Sequence, residues 1–183
     1  MCILKEDLII KEVEKKEDFK KVFKVFREYP YNELWPDIEI EEEFKKIKDI
    51  GRVIGCYYKE NCIGIITFYD IIRNEHPITY GKNNKVLYFS DIAVLKEFRN
   101  NGIATKLLKY MIEFATTNAY DIIYMRTMQP DKSMSYSMVV KNGFTVVNGV
   151  TEDKKMSRVS GNVESDRRIF LEYIIKEEHY EWS

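Results

Sequence analysis

Between Lys85 and Asn142 the apolar residues switch repeatedly between two spacings, and no other feature constrains the fold as tightly. "KVLYFSDIAVL" (85–95) is an apolar and aromatic run of strand type, while residues 102–118 place Ile103, Leu107, Leu108, Met111, Phe114 and Ala115 on one helical face. "DIIYMRTM" (121–128) returns to the strand pattern, and "KSMSYSMVVKN" (132–142) is helical again, closed by Gly143. Strands joined through a helical crossover lie parallel, because a hairpin cannot connect them. The stretch therefore predicts a mixed α/β domain with at least one parallel pairing.

The flanking segments complete the order. "DLIIKEV" (7–13) reads as a strand, and residues 15–29 set Phe19, Val22, Phe23 and Phe26 at helical spacing until Pro30 ends the helix. After the aromatic segment 29–36, "IEIEEEFKKIKDI" (38–50) carries its glutamates first and its lysines last, as the helix dipole favours. "RVIGCYY" (52–58) and "CIGIITFYDI" (62–71), joined by "KEN", read as a β-hairpin, and "FTVVNGV" (144–150) and "RRIFLEYIIK" (167–176) read as strands around a polar loop. The expected order is β-α-α-β-β-β-α-β-α-β-β: a mixed central sheet of about seven strands with helices on both faces. At 183 residues, 1–183 is expected to form one domain, without internal repeats.

Composition narrows the partners. Charged residues make up 32% of the chain but nearly cancel, to a net charge of −1, so no basic surface for nucleic acid is expected. No apolar run approaches the roughly 20 residues of a membrane span, and "MCILKEDLII" lacks the pattern of a signal peptide, so a cytoplasmic protein is expected. Cys2, Cys56 and Cys62 have no metal-type spacing and read as reduced thiols; Cys56 and Cys62 either face each other across the hairpin or fill the core. Neither His76, in a polar loop, nor His179 suggests a metal site.

The chemistry concentrates in "FRNNGIATKLL" (98–108). A helix start presents unpaired N–H groups and the positive end of the macrodipole. Gly102 and the small Ala104 allow close approach, Thr105 adds a hydroxyl, and Arg99 adds a cation suited to phosphate. One reading is a pyrophosphate cradle; the other is a strand-to-helix turn capped by asparagine. Neither G-x-G-x-x-G nor G-x-x-x-x-G-K-[ST] is present at a strand–helix turn to supply the familiar phosphate loops.

"DIAVLKEFRNNGIATKLLKYMIEFA" (91–115) resembles the acetyl-CoA-binding motif of the GNAT N-acetyltransferase superfamily, [RQ]-x-x-G-x-[GA], at Arg99, Gly102 and Ala104. "SMVVKNGF" (137–144) is similar to that family's helix-to-strand segment, at Lys141, Gly143 and Phe144, and the element order matches along nearly the whole chain. The resemblance implies that the backbone of Asn100, Asn101, Gly102, Ile103, Ala104 and Thr105, with Arg99, holds the pyrophosphate of acetyl-CoA. It also implies that the main chain of Ile92, Ala93 and Val94 pairs with the pantetheine where a bulge splays the strand. Lys132, at or near the family's helix asparagine, and Ser135 are further cofactor candidates.

The same resemblance implies direct attack of a primary amine on the thioester. The family's tyrosine acid has Val139 at its usual place, so Tyr136, one turn earlier, is the candidate; the alternative is that Tyr136 packs at the sheet edge. Two frequent glutamates are replaced by Thr127 and Tyr88, leaving Tyr88 and Asp91 as the remaining catalytic candidates, or a water relay. Strand alternation turns Asp91 away from the face of Tyr88 and Ser90. Acceptor specificity is expected from residues 29–36 with Tyr29, Tyr31 and Trp35, from 72–84 and from 148–166. Glu39 and Glu41 to Glu43 either attract a cationic amine or form a solvated helix face. The two functional classes are an N-acetyltransferase, with acetyl-CoA and an amine acceptor, either a small molecule or a peptide or protein, as partners, and a non-catalytic acyl-CoA-binding or regulatory module; the oligomeric state, a homodimer included, stays open.

Overall fold

The computed structural model describes residues 7–28, 36–72, 81, 83–157 and 163–175. Tyr29, Tyr31 and Trp35, most of the 72–84 loop and His76 lie outside them. The chain runs β1 (Leu8–Glu12), α1 (Lys16–Phe23), α2 (Asp37–Ile50), β2 (Gly51–Tyr58), β3 (Asn61–Asp70), β4 (Val86–Val94), α3 (Ile103–Thr117), β5 (Ile122–Met128), α4 (Tyr136–Lys141), β6 (Thr145–Ser157) and β7 (Val163–Ile174). One seven-stranded sheet has the order β1-β2-β3-β4-β5-β7-β6. Among the described residues only β4 and β5 pair in parallel, across the α3 crossover.

Helices cover both faces. Phe114 of α3 packs its ring 5.1 Å from Phe68 of β3, and Val139 and Phe144 are buried on that same side beside Phe89. On the other face Tyr57 donates to Asp18 of α1 at 3.2 Å, and α2 lies against α1 through Phe19 and Phe44. The core between these layers is aliphatic and aromatic, with Phe19, Ile40, Ile65, Leu107 and Leu171 at 0% exposure. Among the described residues no helix is long and apolar enough to cross a membrane.

Three elements depart from their sequence reading. The helix expected over 15–29 is α-helical only to Phe23 and continues as a 3₁₀ turn over Lys24–Glu28. Such a turn eclipses residues three apart, which brings Lys24 and Arg27 together onto Asp37 at the start of α2. The helix expected over 132–142 begins only at Tyr136, because the Ser133 hydroxyl accepts the Tyr136 N–H at 3.1 Å and competes with helical pairing. The polar loop expected after residue 150 is strand up to Ser157, paired antiparallel with β7. The β2–β3 turn consists of Lys59 and Glu60, both at positive φ, as the twist of a two-residue hairpin demands.

The register places Cys56 opposite Gly64 and Cys62 opposite Tyr57, so the two buried thiols fill the core rather than face each other.

Candidate active site

The parallel seam between β4 and β5 is short. Its register runs from Val86↔Ile122 to Phe89↔Met125 and stops there, although β4 continues to Val94 and β5 to Met128. The cause lies on the other edge of β4. Phe68 pairs with Phe89 and Thr67 with Asp91, which makes Ser90 an extra, bulged residue. A bulge bends its strand and sharpens the local twist, so β4 follows β3 and parts from β5. The gap opens into a cleft of about 930 Å³ lined by β4, β5, the α3 N-terminus and α2.

At one end of this cleft stand Arg99, Asn100, Gly102, Ile103, Ala104 and Thr105. Asn100 and Gly102 both adopt positive φ, of 63° and 76°, and an added Cβ on Gly102 meets no heavy atom within 4 Å. The loop is rigid through its own contacts: the Asn101 amide donates to the carbonyls of Phe98 and Arg99, and Arg99 Nε donates to the Val94 carbonyl at 3.2 Å. The α3 start therefore combines exposed backbone, a fixed cation and room for a ligand, the arrangement that favours a phosphate. Ile92, Ala93 and Val94 line the neighbouring wall and Ser135 the far one.

The bulge also corrects the expected direction of Asp91. Because Ser90 is an extra residue, Asp91 and Tyr88, three positions apart, come to lie on one face, facing Thr67 and Tyr69 of β3. Asp91 Oδ2 accepts from Ser90 Oγ at 2.5 Å and from Thr67 Oγ1 at 3.3 Å. The Tyr88 ring lies 5.2 Å from that of Tyr69, and burial pushes its phenol well above the usual range. Both Tyr88 and Asp91 line the cleft.

Other candidates are placed elsewhere. Tyr136 packs against the main core and is not among the lining residues, since the late start of α4 turns Ser135 and Met138 to the cleft instead. Asn101 and Lys132 do not line it either. In the glutamate run of α2, Glu41 is tied to Lys16 and Lys20 while Glu43 alone faces the cleft. Burial raises the Glu43 carboxyl above its ordinary value, Asp91 raises it further and Lys46 opposes them. Tyr69, Arg126 and Arg168 also line the cleft and escaped the sequence reading. An arginine inside the apolar strand "IIYMRTM" was the available signal for Arg126.

A sequence model described as the acetyltransferase (GNAT) family matches residues 17–144, well over half of the chain. The chain belongs to the GNAT acetyltransferase family. A GNAT acetyltransferase from Elizabethkingia anophelis, solved with acetyl-CoA bound, is 16% identical, with a TM-score of 0.63 over 93% of this chain and 100% of that one. An N-acetyltransferase from Staphylococcus aureus Mu50 is 16% identical, with a TM-score of 0.69 over 92% of this chain and 99% of that one. A ribosomal-protein-alanine N-acetyltransferase from Brucella melitensis is 16% identical, with a TM-score of 0.67 over 91% and 99%. These likenesses establish the GNAT fold. No curated protein matches the chain. Among the described residues of this GNAT chain, no group of three or more His, Cys, Asp or Glu is placed to hold a metal ion.

Proposed function

We propose that the protein transfers an acetyl group from acetyl-CoA to a primary amine. The observation that carries this reading is the cleft that starts at the α3 N-terminus and runs between the parted strands β4 and β5. Its α3 end suits a diphosphate, and the backbone of Ile92 to Val94 suits an extended, amide-bearing arm. The open space over Gly102 fits such a ligand.

Acetyl-CoA supplies the activated acetyl group as a thioester. Backbone N–H groups from Asn100 to Thr105, with Arg99, hold its diphosphate, and a β4 N–H beside the bulge polarises the acetyl carbonyl. The amine approaches from the α2 side, where Asp91, anchored by Ser90 and Thr67, accepts a proton directly or through water. As the N–C bond forms, the C–S bond breaks, and the leaving sulfur takes a proton from Tyr88 or solvent. Tyr88 lines the cleft, but burial raises its phenol and so weakens it as an acid, which favours solvent as the donor. Tyr136 is given no part, because it packs against the core and does not line the cleft.

Thermal shift with acetyl-CoA and thiol release across an amine panel test this reading. A rise in melting temperature and amine-dependent thiol release are the expected outcomes; no response at millimolar acetyl-CoA overturns it. The absence of Tyr136 from the cleft favours a second reading, a module that binds acyl-CoA without transfer. It predicts the thermal shift without thiol release.

A further inference from the structure

Three hydroxyls on the wall opposite β4 are joined into one chain. Thr127 Oγ1 of β5 lies 2.7 Å from Ser133 Oγ, and Ser133 Oγ lies 3.3 Å from Ser135 Oγ. All three residues line the cleft. Phe89 pairs with Met125, so Thr127, two residues on, shares the Phe89 face, where Phe144 packs. Asp91 lies on the other face with Tyr88. The hydroxyl chain and Asp91 therefore approach the gap between β4 and β5 from opposite sides of the sheet.

The polarity of the chain is constrained. The Tyr136 N–H donates to Ser133 Oγ at 3.1 Å. A hydroxyl offers one proton and two lone pairs, so Ser133 keeps one donor and one acceptor for its two neighbours. The protons then all point one way, out at Ser135 or out at Thr127, and a concerted shift converts one order into the other. Support of the α4 backbone accounts for Ser133 alone. Ser135 stands at the N-cap of α4, where a serine ordinarily bonds the first turn, yet its hydroxyl makes no such bond. Thr127 is 7% exposed, and among the described residues its hydroxyl is hydrogen-bonded to Ser133 alone. Resting on the acetyl-transfer reading above, in which the ligand lies along Ile92 to Val94 and faces Ser135 across the cleft, we infer that Ser135 protonates the departing sulfur, with Ser133 and Thr127 relaying the proton. As the C–S bond breaks, Ser135 passes its proton to sulfur, Ser133 passes one to Ser135 and Thr127 one to Ser133. Thr127 is resupplied from solvent, to which Asp91 returns the proton of the amine. Each hydroxyl thus ends with one proton, and none has to exist as an alkoxide. Ser135 is the catalytic residue here; Ser133 and Thr127 are positioning residues.

The test compares the unaltered protein with Ser135→Ala, Ser135→Thr and Thr127→Val, which all keep the Ser133 bond to the α4 backbone. Single-turnover transfer, with enzyme in excess over acetyl-CoA and the fastest amine of the panel, isolates chemistry from product release. Ser135→Ala is expected to slow this step by at least about tenfold, toward the roughly 100-fold of a lost general acid. Its acetyl-CoA affinity in calorimetry stays nearly unchanged, and the solvent deuterium isotope effect of the unaltered protein is lost. Ser135→Thr restores most of the rate, and Thr127→Val loses part of it. A second measurement needs no amine: the thiol of bound CoA is titrated by its thiolate absorbance, as a difference against bound desulfo-CoA. It is expected to titrate lower in the unaltered protein than in Ser135→Ala, by about half a pH unit or more, because a hydrogen bond to the charged form favours it. A Ser135→Ala protein with unchanged rate and unchanged thiol titration overturns the inference. So does a slower rate with the isotope effect and the thiol titration both unmoved, since misplacement of the ligand then accounts for the loss. Absence of thiol release with every amine overturns the transfer reading instead, and the thiol titration still decides the Ser135 contact.

Discussion

A side chain at Gly102 carries two separable costs. The φ of 76° is left-handed, which destabilises any L-residue by roughly 1–2 kcal/mol. The added atoms also enter open space at a residue that lines the cleft, where an added Cβ meets nothing within 4 Å. Gly102→Ala is therefore expected to lower urea stability by about that amount. Gly102→Val is expected, in addition, to weaken acetyl-CoA binding by more than tenfold in calorimetry, about 1.4 kcal/mol or more. A Val variant that binds as tightly as the unaltered protein removes the cradle assignment. Gly143 differs in kind: its φ is 97° and an added Cβ comes within 3.0 Å of the Tyr173 ring, so its role is to let β7 pack against the end of α4.

Across elements, the α1–α2 contact is electrostatic at its rim. Hydrogen bonds first from Lys24 and then from Arg27 hold the Asp37 carboxyl at about 2, below its ordinary 3.8. A depressed carboxylate contributes its stability in full above its unfolded value and loses it as pH falls through the folded one. Urea midpoints of the unaltered protein and Asp37→Asn are thus expected to differ modestly at pH 7 and to converge as the pH falls from about 4 to 2; a gap unchanged at pH 2 refutes the ion-pair account. The elements themselves were legible wherever apolar spacing was strong, as in β4, α3 and β5, and the loop with Gly102 was legible from its small residues. The bulge was not. Ser90 becomes an extra residue only through its pairing with β3, so local alternation put Asp91 on the wrong face. Glu43 stood hidden among similar glutamates that differ only in what lies opposite them, and the strand in 151–157 was masked by polar residues that pair across the hairpin.

At the scale of the molecule, burial sets an alkaline limit. The Cys56 thiol is pushed up to about 11 and the Cys62 thiol to about 12, in both cases chiefly by desolvation, and the Tyr88 and Tyr124 phenols are raised by the same cause. A raised acid keeps its proton in the folded state after the unfolded chain has lost it. The contribution of these four groups is therefore level below about pH 9 and falls above it, by up to about 1.4 kcal/mol per pH unit for each group within its window. Urea midpoints measured from pH 7 to 11 are expected to show this decline, and a flat profile excludes it. The strand order adds a mechanical consequence. The four register pairs from Val86↔Ile122 to Phe89↔Met125 join an antiparallel β1–β4 half to an antiparallel β5–β7–β6 half. On the acetyl-transfer reading proposed above, the ligand lies along residues 90–94 and is expected to supply rungs that this seam lacks. Occupancy then fastens the two halves like a rivet, so the force needed to prise them apart rises with ligand concentration.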